Sequence, residues 1–251
     1  MVFLPSTEMN HGRIQKATSI NLRKAVPKES IMVLIANYRD SNRCAETLMS
    51  LYGNATFPDR VTIGVYDQIY TAEGEQTCKE TYCQKVGKEN CEKKDIRFES
   101  IDASEAKGPT VARYETEKLI HDEEFCLAID SHLVFVQGWD TDLVHMVKQT
   151  ENPRAIITVY PTPTDRWHVK STDIDIMCKA QIESSEVDAM IRYAGSYSIK
   201  RPNTPILQTQ LAGGFNFGSC QQSKDIRNDP YTAFLFHGEE YSRASRLWTS
   251  G

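Results

Sequence analysis

Leu127-Ala128-Ile129-Asp130-Ser131-His132 is a short apolar run that ends on two side chains able to ligate a cation. From Phe125 to Ile129 the chain is continuously apolar, and the charged stretch His121 to Glu124 precedes it. That pattern predicts a buried parallel strand. Side chains alternate along a strand, so Asp130 and His132 share one face and Ser131 takes the other. Open α/β sheets bind ligands in the crevice outside the carboxyl ends of their strands. A carboxylate oxygen and an imidazole nitrogen delivered there suit a divalent cation. The plainer alternative is that Asp130 begins a turn and His132 is a hydrogen-bonded surface residue.

Working outward, the same grammar recurs. Ile31 to Ala36 reads as a buried strand stopped by Asn37-Tyr38-Arg39-Asp40, with a helix after it that Ser41 can cap and that repeats Cys44, Leu48, Leu51 and Tyr52. Val61 to Val65 is a second strand, running out at Tyr66-Asp67-Gln68, and Ile96 to Ile101 alternates as a half-exposed one. Gly108-Pro109 opens a helix, and Gly138-Trp139-Asp140 leads into another that carries Leu143, Val144 and Val147 on one face. Ala155 to Tyr160 reads as a further strand, and 161–198 as a polar, partly helical insertion. Pro205 to Gln208, Leu211 to Phe215 and Tyr231 to Phe236 complete the expected core. Strands alternating with helices predict an α/β fold with a mostly parallel open sheet flanked by helices. Residues 1–29 read as an irregular leader, and 30–251 as one domain.

A chain of 251 residues with 40% apolar and 25% charged side chains has globular composition. Its net charge of -5 argues against a nucleic-acid partner reached by bulk electrostatics. No apolar run approaches the ~20 residues that span a bilayer, and the opening residues are too weakly apolar for a signal peptide. The reading is therefore cytoplasmic, with a Golgi-lumenal protein whose amino-terminal anchor has been removed as the alternative. Among seven cysteines, Cys44, Cys126 and Cys178 read as small core residues. Cys78, Cys83 and Cys91 read as a polar loop, with one disulfide if lumenal and free thiols if cytosolic.

Four polar clusters fall at predicted strand ends: Asn37 to Asp40, Asp67-Gln68, Asp130 to His132, and His237-Gly238-Glu239-Glu240. Tyr38 can stack on a base, and Asp67 can accept from a base N–H or a ribose hydroxyl, although Asn and Asp also serve ordinary turns. The helix opened by Gly108-Pro109 offers free N–H groups to an anion, and Arg113 adds a guanidinium suited to diphosphate. The alternative partner for Arg113 is Glu117, four residues on. Gly213-Gly214 lets the backbone approach a ligand closely, or forms a turn. Glu239 and Glu240 suit either an acceptor hydroxyl or the charge of a helix amino terminus.

In this order, IANYRD (Ile35–Asp40), FPDRVTIGVYDQ (Phe57–Gln68), AKGPTVAR (Ala106–Arg113), AIDSH (Ala128–His132), GWD (Gly138–Asp140), AGGF (Ala212–Phe215) and FHGEEYSRASRLWTSG (Phe236–Gly251) resemble the protein α-N-acetylglucosaminyltransferases typified by the enzyme that modifies hydroxyproline. The resemblance implies a GT-A-like fold, a UDP-GlcNAc donor, Mn2+ or Mg2+, and retaining transfer to a protein hydroxyl of hydroxyproline, Ser or Thr. It maps Asp130-Ser131-His132 onto the family's metal-binding motif and Gly238-Glu239-Glu240 onto its acidic acceptor-side motif; the family's later metal-contacting histidine has no counterpart here unless His237 turns inward. From the residues themselves, Tyr38, Arg39, Asp67, Arg113, Ser131, Gly213 and Gly214 are the candidates for the nucleotide sugar. A UDP-sugar-binding homologue with weak or no turnover is the alternative. The resembling family continues past the tryptophan-containing segment, so the chain is expected to be truncated at its carboxyl end and of low activity.

Overall fold

Ile31–Tyr38 forms β1, the middle of the sheet, and its composition follows from being covered on both sides. Ile31, Val33 and Ile35 pack with Leu48 and Leu51 of α1 (Ser41–Asn54) and with Trp139 and Leu143 of α5 (Trp139–Gln149). Met32 and Leu34 turn the other way, into a cluster with Leu119 and Ile120. A strand buried on both faces has no position for a polar side chain until it leaves the core. On the neighbouring strand β2 (Val61–Ile69), Gly64 makes room for this packing: a Cβ there would lie 2.3 Å from Met32 Cε.

The computed structural model describes residues 29–163, 172–184 and 189–250, so the expected leader lies outside the described residues except for Glu29. The six-stranded sheet runs β3 (Ile96–Asp102), β2, β1, β4 (Phe125–Asp130), β8 (Phe215–Ser219), β5 (Ile157–Thr158). β1, β2, β3 and β4 are mutually parallel, whereas β8 runs antiparallel to both β4 and β5. In the sheet order the chain leaves β1 for β2 in one direction and β4 for β5 in the other, so a crevice falls at the carboxyl ends of β1 and β4. Helix α4 (Pro109–Glu117) packs against β1 and β2 beside it. Among the described residues no helix is long and apolar enough to cross a membrane.

Several expectations need correction. Asp40, not Ser41, occupies the position before α1, without a side-chain cap. The cysteine-bearing insert is helical: α2 (Cys78–Val86) and α3 (Lys88–Glu92). Thr77 and Glu80 cap α2 reciprocally, and this satisfies two free N–H groups at its start. Cys44 and Cys126 are buried but bridged, to Cys78 and Cys220, while Cys83 pairs with Cys91 and Cys178 is free and exposed. The described parts of 161–198 contain no helix; β6 (Asp173–Ser184) and β7 (Ala189–Lys200) pair as an antiparallel ribbon. The period-two run Asp173-Ile-Asp-Ile176 is the physical cause. Strand β5 keeps only two of the six residues Ala155 to Tyr160. Within Pro205 to Gln208, Leu207 is exposed and Gln208 is buried. Tyr231 to Phe236 is not core: Tyr231, Phe234 and Phe236 are 93%, 74% and 67% exposed.

The GWD motif proves architectural. Trp139 donates its indole N–H to Leu51 O at 2.9 Å, and fully buried Asp140 accepts from Thr56 N and Phe57 N and pairs with Arg60 at 3.0 Å. These bonds seat the turn before β2.

Asp67 is fully buried within β2, accepting from Asn37 Nδ2 at 2.7 Å and from Cys78 N at 3.1 Å. Burial raises its pKa to about 6, against the pull of those two donors. The folded protein therefore holds this proton more tightly than the unfolded chain. The contribution is present below pH ~4 and is lost as pH rises toward 6, on the order of 3 kcal/mol in all. Thermal melts of wild type and Asp67→Asn between pH 4 and pH 6.5 should show a steeper fall in the wild type; parallel curves would contradict the assignment.

Candidate active site

Arg113 reaches from α4 into the crevice because its helix starts there, fixed by Gly108 at φ 88° and Pro109 at the first helical position. The guanidinium lies between two carboxylates. Nη2 donates to Asp130 Oδ1 at 2.9 Å, and Nη1 is paired with Glu239 Oε1. Burial opposes the guanidinium charge, but Glu239 and Asp130 outweigh it and hold its pKa above the ordinary arginine value. The i+4 pairing with Glu117 does not occur. Glu117 instead binds Arg243 of α7 (Glu239–Thr249) at 3.2 Å and accepts from Asn228 at 2.8 Å.

Helix α7 brings the acidic pair. Gly238, at φ 94°, turns the chain into it. The Oε2 of Glu239 accepts from Thr110 Oγ1 at 3.1 Å. The Oε1 of Glu240 accepts from Gly213 N and from the Tyr160 hydroxyl, both at 2.9 Å. Burial, then the charge of Glu239, raises the Glu240 pKa against the pull of those two donors. Burial and the Glu240 charge raise that of Tyr160.

Gly213 and Gly214 make room for protein side chains rather than for a ligand. A Cβ at 213 would stand 2.7 Å from Glu239 Oε1 and 2.9 Å from Arg113 Nη1, and one at 214 would stand 2.2 Å from Asp130 Oδ2. Asp130 N also donates to Gly214 O at 3.1 Å. Six residues singled out in the sequence thus meet: Arg113, Asp130, Gly213, Gly214, Glu239 and Glu240. Thr110 and Tyr160 join them without having been anticipated. Thr110 lay within AKGPTVAR, and Tyr160 closed an expected strand, so only their roles were hidden.

Beside this cluster opens a cleft of about 420 Å3, with Tyr38 and Gln68 at the ends of β1 and β2 and Arg113 and Asp130 at the other side. Tyr38 is 52% exposed. The remaining expected residues make no side-chain hydrogen bond or ion pair with this cluster. Asp67 faces α2, and Arg39 pairs with Glu73 and Glu75 and stacks over Tyr70. Ser131 is buried, and its carbonyl accepts from Thr47 of α1 at 3.0 Å. β4 ends at Asp130 and His132 lies in the bend beyond it, so strand alternation does not put the two on one face as expected; His132 and His237 are exposed, and Phe236 meets His237 edge-on.

A family model described as Glycosyltransferase (GlcNAc) matches residues 30–86 and 71–251. The chain belongs to this family. Solved structures agree on the fold, which is GT-A-like. Staphylococcus aureus TarS 1-349 aligns with a TM-score of 0.55 at 14% identity, over 87% of this chain and 55% of that one. GalNAc-T7 with UDP, GalNAc and Mn2+ gives 0.56 at 14% identity, over 88% and 41%. The mannosyltransferase PcManGT from Pyrobaculum calidifontis, in complex with GDP-Man and Mn2+, gives 0.53 at 13%, over 88% and 52%. The chain spans about half the length of these structures, and no curated protein matches it.

Gly214→Ala should push Asp130 from its place and lower unfolding free energy by about 1–3 kcal/mol, the usual cost of overpacking. Gly53→Ala in α1, where a Cβ meets nothing within 4 Å, is the control and should not destabilise. Equal stability of the two variants in denaturant unfolding would refute the close approach.

Proposed function

We propose that this glycosyltransferase moves GlcNAc from UDP-GlcNAc to a hydroxyl of a protein acceptor, hydroxyproline or Ser/Thr, with retention at the anomeric carbon. The observation that carries the reading is the meeting of Arg113 with Asp130 and Glu239 at the carboxyl end of β4, beside a cleft sized for a nucleotide. Breaking the anomeric C–O bond places negative charge on the leaving phosphate. Arg113, fixed before the donor arrives, meets that charge without reorganisation. Glu239 engages both its oxygens and so positions Arg113. Glu240 uses one oxygen on Gly213 and Tyr160, leaving the other for the acceptor hydroxyl.

The donor set suits a divalent metal. Asp130 is 44% exposed on its side chain, Arg113 engages only its Oδ1, and exposed His132 follows two residues on. Among the described residues no group of three or more His, Cys, Asp or Glu is placed to hold a metal ion by itself. Asp130 and His132 would therefore hold Mn2+ or Mg2+ with water and the donor diphosphate completing the shell, and His237 is a further candidate. When bound, the metal supplies charge neutralisation at the diphosphate. The three disulfides support the oxidising, lumenal alternative over a cytoplasmic location.

Incubation with UDP-GlcNAc, Mn2+ and hydroxyproline-, Ser- or Thr-containing peptides should release UDP and yield glycopeptide. Glu240→Gln should cut turnover by roughly a hundredfold, the scale of a lost proton-transfer group, while UDP affinity holds. Binding of UDP without any turnover would favour the inactive homologue, and loss of UDP affinity in Glu240→Gln would contradict the division of roles.

A further inference from the structure

Residues 231–237 hold an arrangement that no catalytic role above explains. Phe234 and Phe236 both line the cleft and yet remain mostly exposed. Exposed phenylalanines on a loop are ordinarily free to seek cover, but this loop is fastened. Phe234 N donates to Lys107 O at 2.7 Å, and the single Thr110 hydroxyl proton is shared between Leu235 O at 3.0 Å and Glu239 Oε2 at 3.1 Å. Phe234 itself sits at φ 61°, in the left-handed region that a bulky residue adopts only when its surroundings force it. Gly108 makes that possible, since a Cβ there would come within 3.0 Å of Phe234 Cα. The chain thus accepts backbone strain to keep two bare rings at the edge of a cavity.

The rest of the lining says what the rings share the cleft with. Ala36, Ala103, Ala106 and Pro109 line the cleft with small apolar groups, and the charged pair Arg113 and Asp130 lies at one side. A ligand matched to this cleft is flat and apolar at one end and anionic at the other. A nucleoside diphosphate has that form, and aromatic faces hold bases whatever their hydrogen-bonding edge.

We infer that Phe234 and Phe236 form an aromatic wall that holds the base of the nucleotide-sugar donor, seated by the Gly108–Phe234 contact. This rests on the donor class proposed above and adds two binding residues to it. The wall belongs to the same segment as Glu239, so base binding and placement of the acidic pair are carried by one stretch of chain.

Titration calorimetry of the full chain with UDP in the presence of Mn2+ tests it. The double variant Phe234→Ala/Phe236→Ala should bind UDP about tenfold more weakly, the lower range for a lost base–aromatic contact. Tyr231→Ala, on the same segment but outside the cleft lining, should bind as wild type does. Both rings are exposed, so melting temperature should not move. If the double variant nevertheless misfolds, Phe234→Leu and Phe236→Leu keep apolar bulk without a planar face and should show the same loss. Unchanged affinity in the variants, with wild type binding UDP, overturns the wall and leaves the donor reading standing. No UDP binding by wild type overturns both.

Discussion

One guanidinium organises the candidate site of this molecule. Arg113 is carried by α4, Asp130 by β4, the next element in the chain, and Glu239 by α7, 126 residues beyond Arg113. A cation between two carboxylates pulls all three together, and removal of the cation would leave like charges facing each other in a partly desolvated place. The glycines at 213 and 214 are consequences of this clamp, since any side chain there would occupy the space of Asp130, Glu239 or Arg113.

The clamp is braced behind. Glu117, one turn beyond Arg113 on α4, is buried against Arg243 of α7 and two donors from Asn228. Burial raises the Glu117 pKa to about 7 even against those partners. A buried ion pair adds little net stability, but breaking it by removing one partner is costly. Its effect here is geometric. It fixes the register of α7 on α4, so that Glu239 meets Arg113 and Glu240 meets Gly213 and Tyr160.

The central sheet was legible because its strands are short apolar runs that end in polar residues, and the covering helices repeat their apolar residues at helical spacing. Asp130, Arg113 and the two acidic residues were legible as chemistry at strand and helix ends. What the sequence hid was direction. Asp67 and Gln68 are adjacent, and one buries itself toward α2 while the other faces the cleft. A stretch such as Tyr231 to Phe236 is apolar enough for a core strand, and only the fastening to Lys107 and Thr110 turns it into the rim of a cavity. The capping pair Thr77 and Glu80 was a local helix signal obscured by the cysteines around it. Arg113 had a near partner in sequence, Glu117, and a distant one in space; tertiary contacts decided between them.

The account stands on Arg113 and Glu239 acting as one unit. A double-mutant cycle of Arg113→Met and Glu239→Gln, read by denaturant unfolding, measures this directly. The predicted result is a coupling free energy above about 1 kcal/mol, as for contacting charged partners. Additive effects of the two substitutions would contradict it.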